Sequence, residues 1–282
     1  RMGQKFWFVF LIIIALVDWL GVNYMAFTPR SRDLVLSEQD KVALSIARHD
    51  LDARVYSPSY SIPQQTAIKH GIQLADGVDP LKLETYVKFM EKATGVKRDS
   101  YSVTMPPFRN GNPRSANLHS VPEADLLGLL NVGWVAAEYD LVSEGLVLHE
   151  RIGETRVYEN QLVRPRSWLE KRDSGEEEVG SINEYVWEPN QLSVTTNGPG
   201  LLVLSEIAYP GWRVFVDNTP TTLDVYQDLL RAVKLEVGTH EVKFVFQPVS
   251  FYIGLVLSML GWLTMAVLTR YRHNAGVGVK IG

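Results

Sequence analysis

The chain has 282 residues, a net charge of −4 and no cysteine. The length allows one or two soluble domains beside membrane segments. The charge offers no basic surface for nucleic acid, and the missing thiols exclude cysteine nucleophiles, disulfides and cysteine-based metal sites.

The elements in chain order begin with an apolar run from Phe6 to Phe27. About 20 apolar helical residues cross a bilayer core of roughly 30 Å, so residues 5–27 are predicted to form a transmembrane helix. Asp18 lies well inside it. A carboxylate at that depth must face protein or water, serving either a polar path between helices or a structural hydrogen bond to a neighbouring helix. Thr28-Pro29-Arg30 breaks the run.

A small α/β part follows, over residues 34–165. Ser37 has the position of an N-cap, with Asp40 three residues on, and Val42, Ala43, Ile46 and Ala47 repeat on one helical face. Arg54 to Ser57 reads as a short strand, and Pro63 opens a helix that ends near Gly71. Asp79-Pro80 has the pattern of a helix start, and Gly95 ends that helix. The segment 98–120, rich in Pro, Asn, Ser and Arg, reads as a long loop that lines a ligand groove or moves. A short helix runs from Pro122 to Leu129. Val132 to Ala137 reads as a buried strand, and a hairpin turns about Gly153.

Composition changes near residue 165. From there to residue 248 the chain reads as an antiparallel β-sandwich of short strands, among them 191–195, 201–207, 213–216, 232–237 and 241–246. Asp217-Asn218 and Gly238-Thr239 are read as hairpin turns. The run Glu176 to Glu178 is read as a solvated loop. Residues 250–269 form a second predicted membrane helix, and residues 270–282 a tail with Arg270, Arg272 and Lys280. Lys and Arg collect on the cytoplasmic flank of membrane helices, which puts both termini inside and residues 28–249 outside. The expected fold class is therefore α+β: two transmembrane helices flank an extracytoplasmic domain made of the α/β part and the sandwich.

Motifs for self-contained catalysis are missing. The six histidines, at 49, 70, 119, 149, 240 and 273, show no HExxH spacing, and the chain has no GxSxG, GxxxxGK[ST] or GxGxxG. No metal ligand or catalytic residue is assigned. Four residues stand out as substrate contacts. Asp76, with Asp79, forms a DxxD pair that suits a metal or a sugar hydroxyl, or else a turn and a helix cap. Tyr209 and Trp212 frame a loop whose aromatic faces can stack on a sugar ring, while Trp212 can instead fill the core or rest at the membrane interface. Arg231 can pair with a phosphate or carboxylate, or form a surface ion pair.

Together these stretches resemble a known family. Leu201-Leu202-Val203-Leu204-Ser205-Glu206, Tyr209-Pro210-Gly211-Trp212 and Val216-Asp217-Asn218 resemble the C-terminal part of YfhO-type bacterial membrane proteins, as do Leu230-Arg231-Ala232-Val233, Gly238 to Val242 and Ser250 to Gly254. Arg54-Val55-Tyr56, Gly77 to Leu81, Leu130-Asn131-Val132, Val157 to Asn160 and Pro165-Arg166 are similar in the earlier half. The resemblance runs from about Asp18 to about Leu263 and implies a polytopic GT-C-type glycosyltransferase. Such a protein moves a sugar from a polyprenyl-phosphate carrier to a cell-envelope acceptor. Its catalytic carboxylate would lie in an earlier external loop, so this chain would be the accessory domain and would need no cofactor of its own. The expected partners are the bilayer, the N-terminal membrane helices of the longer protein and an envelope polysaccharide. A non-catalytic sensor or scaffold module that binds envelope sugar is the alternative.

Overall fold

The computed structural model describes residues 2–26, 37–99, 101–171, 178–180 and 182–276. The break at 28–30, most of the acidic run 176–178 and the end of the tail lie outside these residues.

Helix α1 (Met2–Ala26) contains the apolar stretch Phe6–Val22. At 1.5 Å per residue that stretch is roughly 25 Å long, and Asp18 is exposed within it. After α1 comes α2 (Glu38–His49), which opens on the predicted cap: the Ser37 hydroxyl accepts from Asp40 N–H, and the Asp40 carboxylate accepts from Ser37 N–H. The Lys69 ammonium, 2.7 Å away, and His70, at 2.9 Å, also hold this carboxylate, keeping it ionised well below the usual carboxylate range.

Strand β1 (Arg54–Tyr56) leads to α3 (Gln64–His70), closed by Gly71 in the left-handed conformation. Next come β2 (Gly77–Val78), α4 (Glu84–Thr94), β3 (Thr104–Met105), α5 (Pro113–Ala116) and α6 (Ala124–Leu129). Strands β4 (Val132–Ala137), β5 (Leu146–Ile152) and β6 (Thr155–Asn160) complete a four-stranded sheet of order β1-β4-β6-β5, in which β1 and β4 are parallel.

Asp79-Pro80 does not start a helix. Asp79 N–H donates to Val103 O at 3.0 Å, and the Asp79 carboxylate accepts from Leu81 N–H at 2.7 Å, closing a turn. Pairing with the β3 segment keeps the backbone extended there, so α4 begins only at Glu84.

Every residue of β4 is buried. Trp134 and Ala136 pack with Val42, Ile46 and Ala67 of α2 and α3. Val132, Val135 and Ala137 face the opposite side and pack with Met90, Ala93 and Leu127 of α4 and α6. A strand covered on both faces needs an unbroken apolar run.

The second part is one antiparallel sheet. Its strands are β7 (Ser167–Lys171), β8 (Glu178–Gly180), β9 (Ile182–Glu188), β10 (Gln191–Ile207), β11 (Trp212–Val216), β12 (Thr219–Thr221), β13 (Asp224–Tyr226) and β14 (Leu230–Phe246). The strands expected at 191–195 and 201–207 are a single 17-residue strand, and so are those at 232–237 and 241–246. Gly238-Thr239 is therefore no hairpin turn: Gly198 pairs with Gly238 inside the ladder, and the register shifts between Gly198 and Gly200. Each long strand changes its outer neighbour there. The first half of β10 pairs with β9 and the second with β7, while β14 exchanges β13 for β11. The two halves enclose Leu192, Val194, Leu202, Leu204, Val233, Val242 and Phe244.

This core is continuous in chain and space with the α/β part. Val203 and Ala232, on the other face of the same strands, join Trp168, Leu229 and Leu230 in the cluster that holds Met90 and Leu127. The alternation explains the run Leu201 to Leu204: both faces are buried, so polar residues have no place in it.

Strand β14 passes through Gln247-Pro248 directly into α7 (Val249–Gly276). Its stretch Val249–Tyr271 is 23 residues long, uncharged up to Arg270 and wholly unburied, and is long and apolar enough to cross a bilayer. At the join, Gln247 N–H donates to Gly211 O at 2.7 Å. Gly211 has φ +109°, and a Cβ there would come within 3.1 Å of Pro248.

Candidate functional site

A cavity of about 370 Å³ lies where the two parts meet, walled by Arg54, Asp76, Lys82, Tyr86, Glu206 and Ile207, among others. Each wall residue follows from a local feature. Residues 73–75 run beside β1, with Val55 N–H donating to Gln73 O and Ala75 N–H to Val55 O, both at 2.8 Å. That placement sets Asp76 against the end of β1, where its carboxylate accepts from Ser57 N–H at 2.9 Å. From the other side, β10 loses register with β14 between Leu204 and Ile207. This irregularity, of the kind common beside functional sites, carries Ser205 and Glu206 into the seam.

Arg54 binds the two parts together. Its Nη1 donates to Leu130 O (2.8 Å), Ser205 O (2.7 Å) and Ser205 Oγ (3.2 Å), and its Nη2 to the Glu206 carboxylate (2.7 Å). Ser205 Oγ donates onward to Leu129 O at 2.8 Å. Glu206 also faces Arg166 at 3.5 Å and Arg231 at 3.6 Å. Three guanidinium groups thus share one carboxylate. Arg166 is further held by Asp52 O and by the Gln73 side chain.

Arg231 is not a surface ion pair. It is 2% exposed, and its guanidinium lies over the Trp212 ring, 3.8 Å from the centroid. Its Nε and Nη1 are buried and find no hydrogen-bond acceptor among the described residues. Burial lowers its pKa to about 10 against the opposing pull of Glu206. Trp212 also packs against Phe246, with centroids 5.3 Å apart. Arg231 closes one indole face to a sugar ring. Tyr209 is 46% exposed and contacts Phe246 at 6.3 Å, on the side where the chain enters α7.

Of the four contacts expected from sequence, Asp76 lines the cavity, and Arg231 and Trp212 reach it through Glu206, while Tyr209 stands apart. Sequence reading missed Arg54, Glu206 and Tyr86. The polar pair Ser205-Glu206 closing the apolar run was the only local sign of them.

The electrostatics differ from group to group. Burial pushes the Asp76 carboxyl up to about 7, against the hydrogen bond from Ser57. Among the described residues no cation stands at ion-pair distance from it. Tyr86 donates to Ala75 O at 2.6 Å, and burial raises its pKa well above the ordinary value. The Lys82 ammonium donates to Ser102 O and Thr104 O. The cations of the wall are thus engaged with acceptors of the protein, while Asp76 lines the cavity with acceptor capacity to spare. A wall of this kind matches hydroxyl donors of an uncharged ligand better than a phosphate. Among the described residues no three His, Asp or Glu side chains are placed to share a metal ion.

Comparison with family models, with curated proteins and with solved structures found no match for this chain.

Proposed function

We propose that this chain is the accessory extracytoplasmic domain of a membrane glycosyltransferase of the GT-C type, and that its cavity receives a sugar unit of the envelope acceptor. One observation carries the reading: a polar, Asp76-lined cavity stands next to the start of a membrane-length helix. Ile207 of the cavity wall is four residues from Gly211, and Gly211 is hydrogen-bonded to Gln247. Four extended residues span at most about 14 Å. A sugar held in this cavity stays close to the bilayer, where a polyprenyl-phosphate carrier presents its own sugar. Holding acceptor and donor together lowers the entropic part of the barrier.

The placement outside the membrane rests on Arg270 and Arg272 at the far end of the apolar stretch of α7. The second membrane passage, through α1, and the intramembrane role of Asp18 belong to the same proposal. The catalytic carboxylate and the polyprenyl-phosphate donor belong to the remainder of the longer protein.

The test uses the full chain in detergent and saturation-transfer NMR with neutral hexoses and N-acetylhexosamines. Transfer to at least one sugar is expected, with loss in Ile207→Trp, which fills the cavity. Absence of transfer from every sugar overturns cavity binding. Sugar transfer in membranes holding the complete protein then separates an enzyme from a binding or scaffold module. Ile207→Trp membranes that transfer at the parental rate overturn the accessory role.

A further inference from the structure

Away from the cavity, the C-terminal end of α2 meets β5. His49 is the last residue of α2 and His149 lies on β5, and their Nε2 atoms are 3.3 Å apart. The ring centroids are only 4.7 Å apart, with the rings 80° from coplanar. One ring N–H donates to the other ring's nitrogen, the direction being set by the tautomers, and both Nε2 atoms are turned toward the same gap. Both side chains are exposed on their outer side. Behind them stands Trp134, 6% exposed, with its ring 5.6 Å from His49 and 5.2 Å from His149. One helical turn earlier, Ser45 hydrogen-bonds Glu150 and fixes α2 against β5. Glu38, at the start of α2, accepts from Glu154 and Thr155 N–H beyond the hairpin. The two imidazoles are thus set by a rigid frame, at the last of three contacts between α2 and the β5–β6 hairpin.

A tetrahedral zinc ion binds histidine nitrogens at about 2.0–2.1 Å, which puts two such nitrogens about 3.3–3.4 Å apart. The observed separation of 3.3 Å has that value, so an ion can take the place of the proton that the two rings share. We infer that His49 and His149 are a two-histidine site for a divalent transition-metal cation of the zinc, nickel or copper class. Imidazole suits these metals. Each histidine binds as the neutral ring through Nε2, and water fills the positions facing solvent. The bound ion staples the end of α2 to β5, 100 residues apart in sequence.

Isothermal titration of the full chain in detergent with zinc chloride at pH 7.5 tests this. One ion per chain is expected, with a rise in Tm that a chelator reverses, since an ion bound only by the folded state stabilises it. His49→Gln and His149→Gln should each weaken binding tenfold or more while circular dichroism stays unchanged. The double variant should lose far less than the sum of the two single losses, because either ring alone holds the ion only weakly. His119→Gln, altering an exposed histidine elsewhere, should change nothing. A loss of less than tenfold in either single variant, or an equal loss in His119→Gln, overturns the site.

Discussion

The Arg231 guanidinium lies 3.8 Å above the Trp212 ring and joins the two ends of one strand. Arg231 is the second residue of β14, and Trp212 pairs with Phe246, its last. Fifteen residues separate Arg231 from Phe246, some 50 Å if the strand ran straight. The bend at Gly198 and Gly238 brings these ends together, and with them the cavity and the start of α7. The sandwich expected from sequence is thus a single sheet folded over, and the same fold that encloses its core brings the cavity wall at Ile207 to within four residues of Gly211, which is bonded to Gln247 just before α7.

The charge ratio in this seam gives the first prediction. Among the described residues Glu206 is the one carboxylate at ion-pair distance from Arg54, Arg166 and Arg231. Removing one partner of a buried ion pair costs about 3–5 kcal/mol because a charge is left uncompensated. Glu206→Gln strands three cations and should lose stability of that order. Arg231→Met removes a cation whose Nε and Nη1 have no acceptor among the described residues, and leaves Glu206 with two arginines. Its cost should be about 2 kcal/mol or less, mainly the lost stacking on Trp212. Urea unfolding of both variants measures the difference. Equal losses would show that Glu206 does not hold the cluster together.

The bend gives the second. A Cβ at Gly198 would lie 1.9 Å from Glu236 O, a backbone atom of the paired strand, which cannot move aside cheaply. At Gly238 the nearest atom to a Cβ is 3.8 Å away, and only φ +133° disfavours a side chain. Gly198→Ala should therefore cost more than Gly238→Ala, by about 2 kcal/mol or more, as overpacking against fixed atoms does. Thermal unfolding of the two variants checks the order. If Gly238→Ala is the worse of the two, the close approach at Gly198 does not shape the sheet.

How much of this was legible follows from the range of the interactions. The Ser37–Asp40 cap, the stop at Gly95, the buried run Val132 to Ala137 and the hairpin at Gly153 are local, and they stand where the residue pattern puts them. The Asp79 turn misled because a tertiary hydrogen bond to Val103 outweighs a good cap sequence. Gly198-Pro199-Gly200 and Gly238 carry turn chemistry, yet lie inside strands, since pairing across the bend satisfies their neighbours. The site was least legible. Arg54 and Glu206 are 152 residues apart, and His49 and His149 are 100 apart. Nothing in local spacing predicts either meeting. Asp76 was visible only as half of a DxxD pair, and its burial comes from β1 running alongside residues 73–75.

That burial sets the last prediction. The Asp76 carboxyl is raised to about 7, whereas an unfolded aspartate titrates near 3.9. Between these values the folded state holds a proton that the unfolded state has released. Stability therefore falls as pH rises from about 4 to 7 and is level above, with a drop on the order of 4 kcal/mol. Asp40 acts in the opposite sense and lower down: its pKa is depressed by Lys69 and His70, so its contribution is lost only as pH falls below about 4. The windows do not overlap. Asp76→Asn keeps a carbonyl oxygen to accept from Ser57 N–H, and it carries no charge to desolvate. This variant should lose the decline between pH 4 and 7 and be more stable than the parent at pH 8, while sugar binding in the cavity weakens for want of a carboxylate acceptor. Urea unfolding across pH 4 to 8, with parent and variant side by side, isolates the group because every other titration is common to both. A parent curve that parallels the variant throughout would mean that Asp76 stays ionised in the fold, and water or a ligand would then have to reach it more freely than its 8% exposure allows.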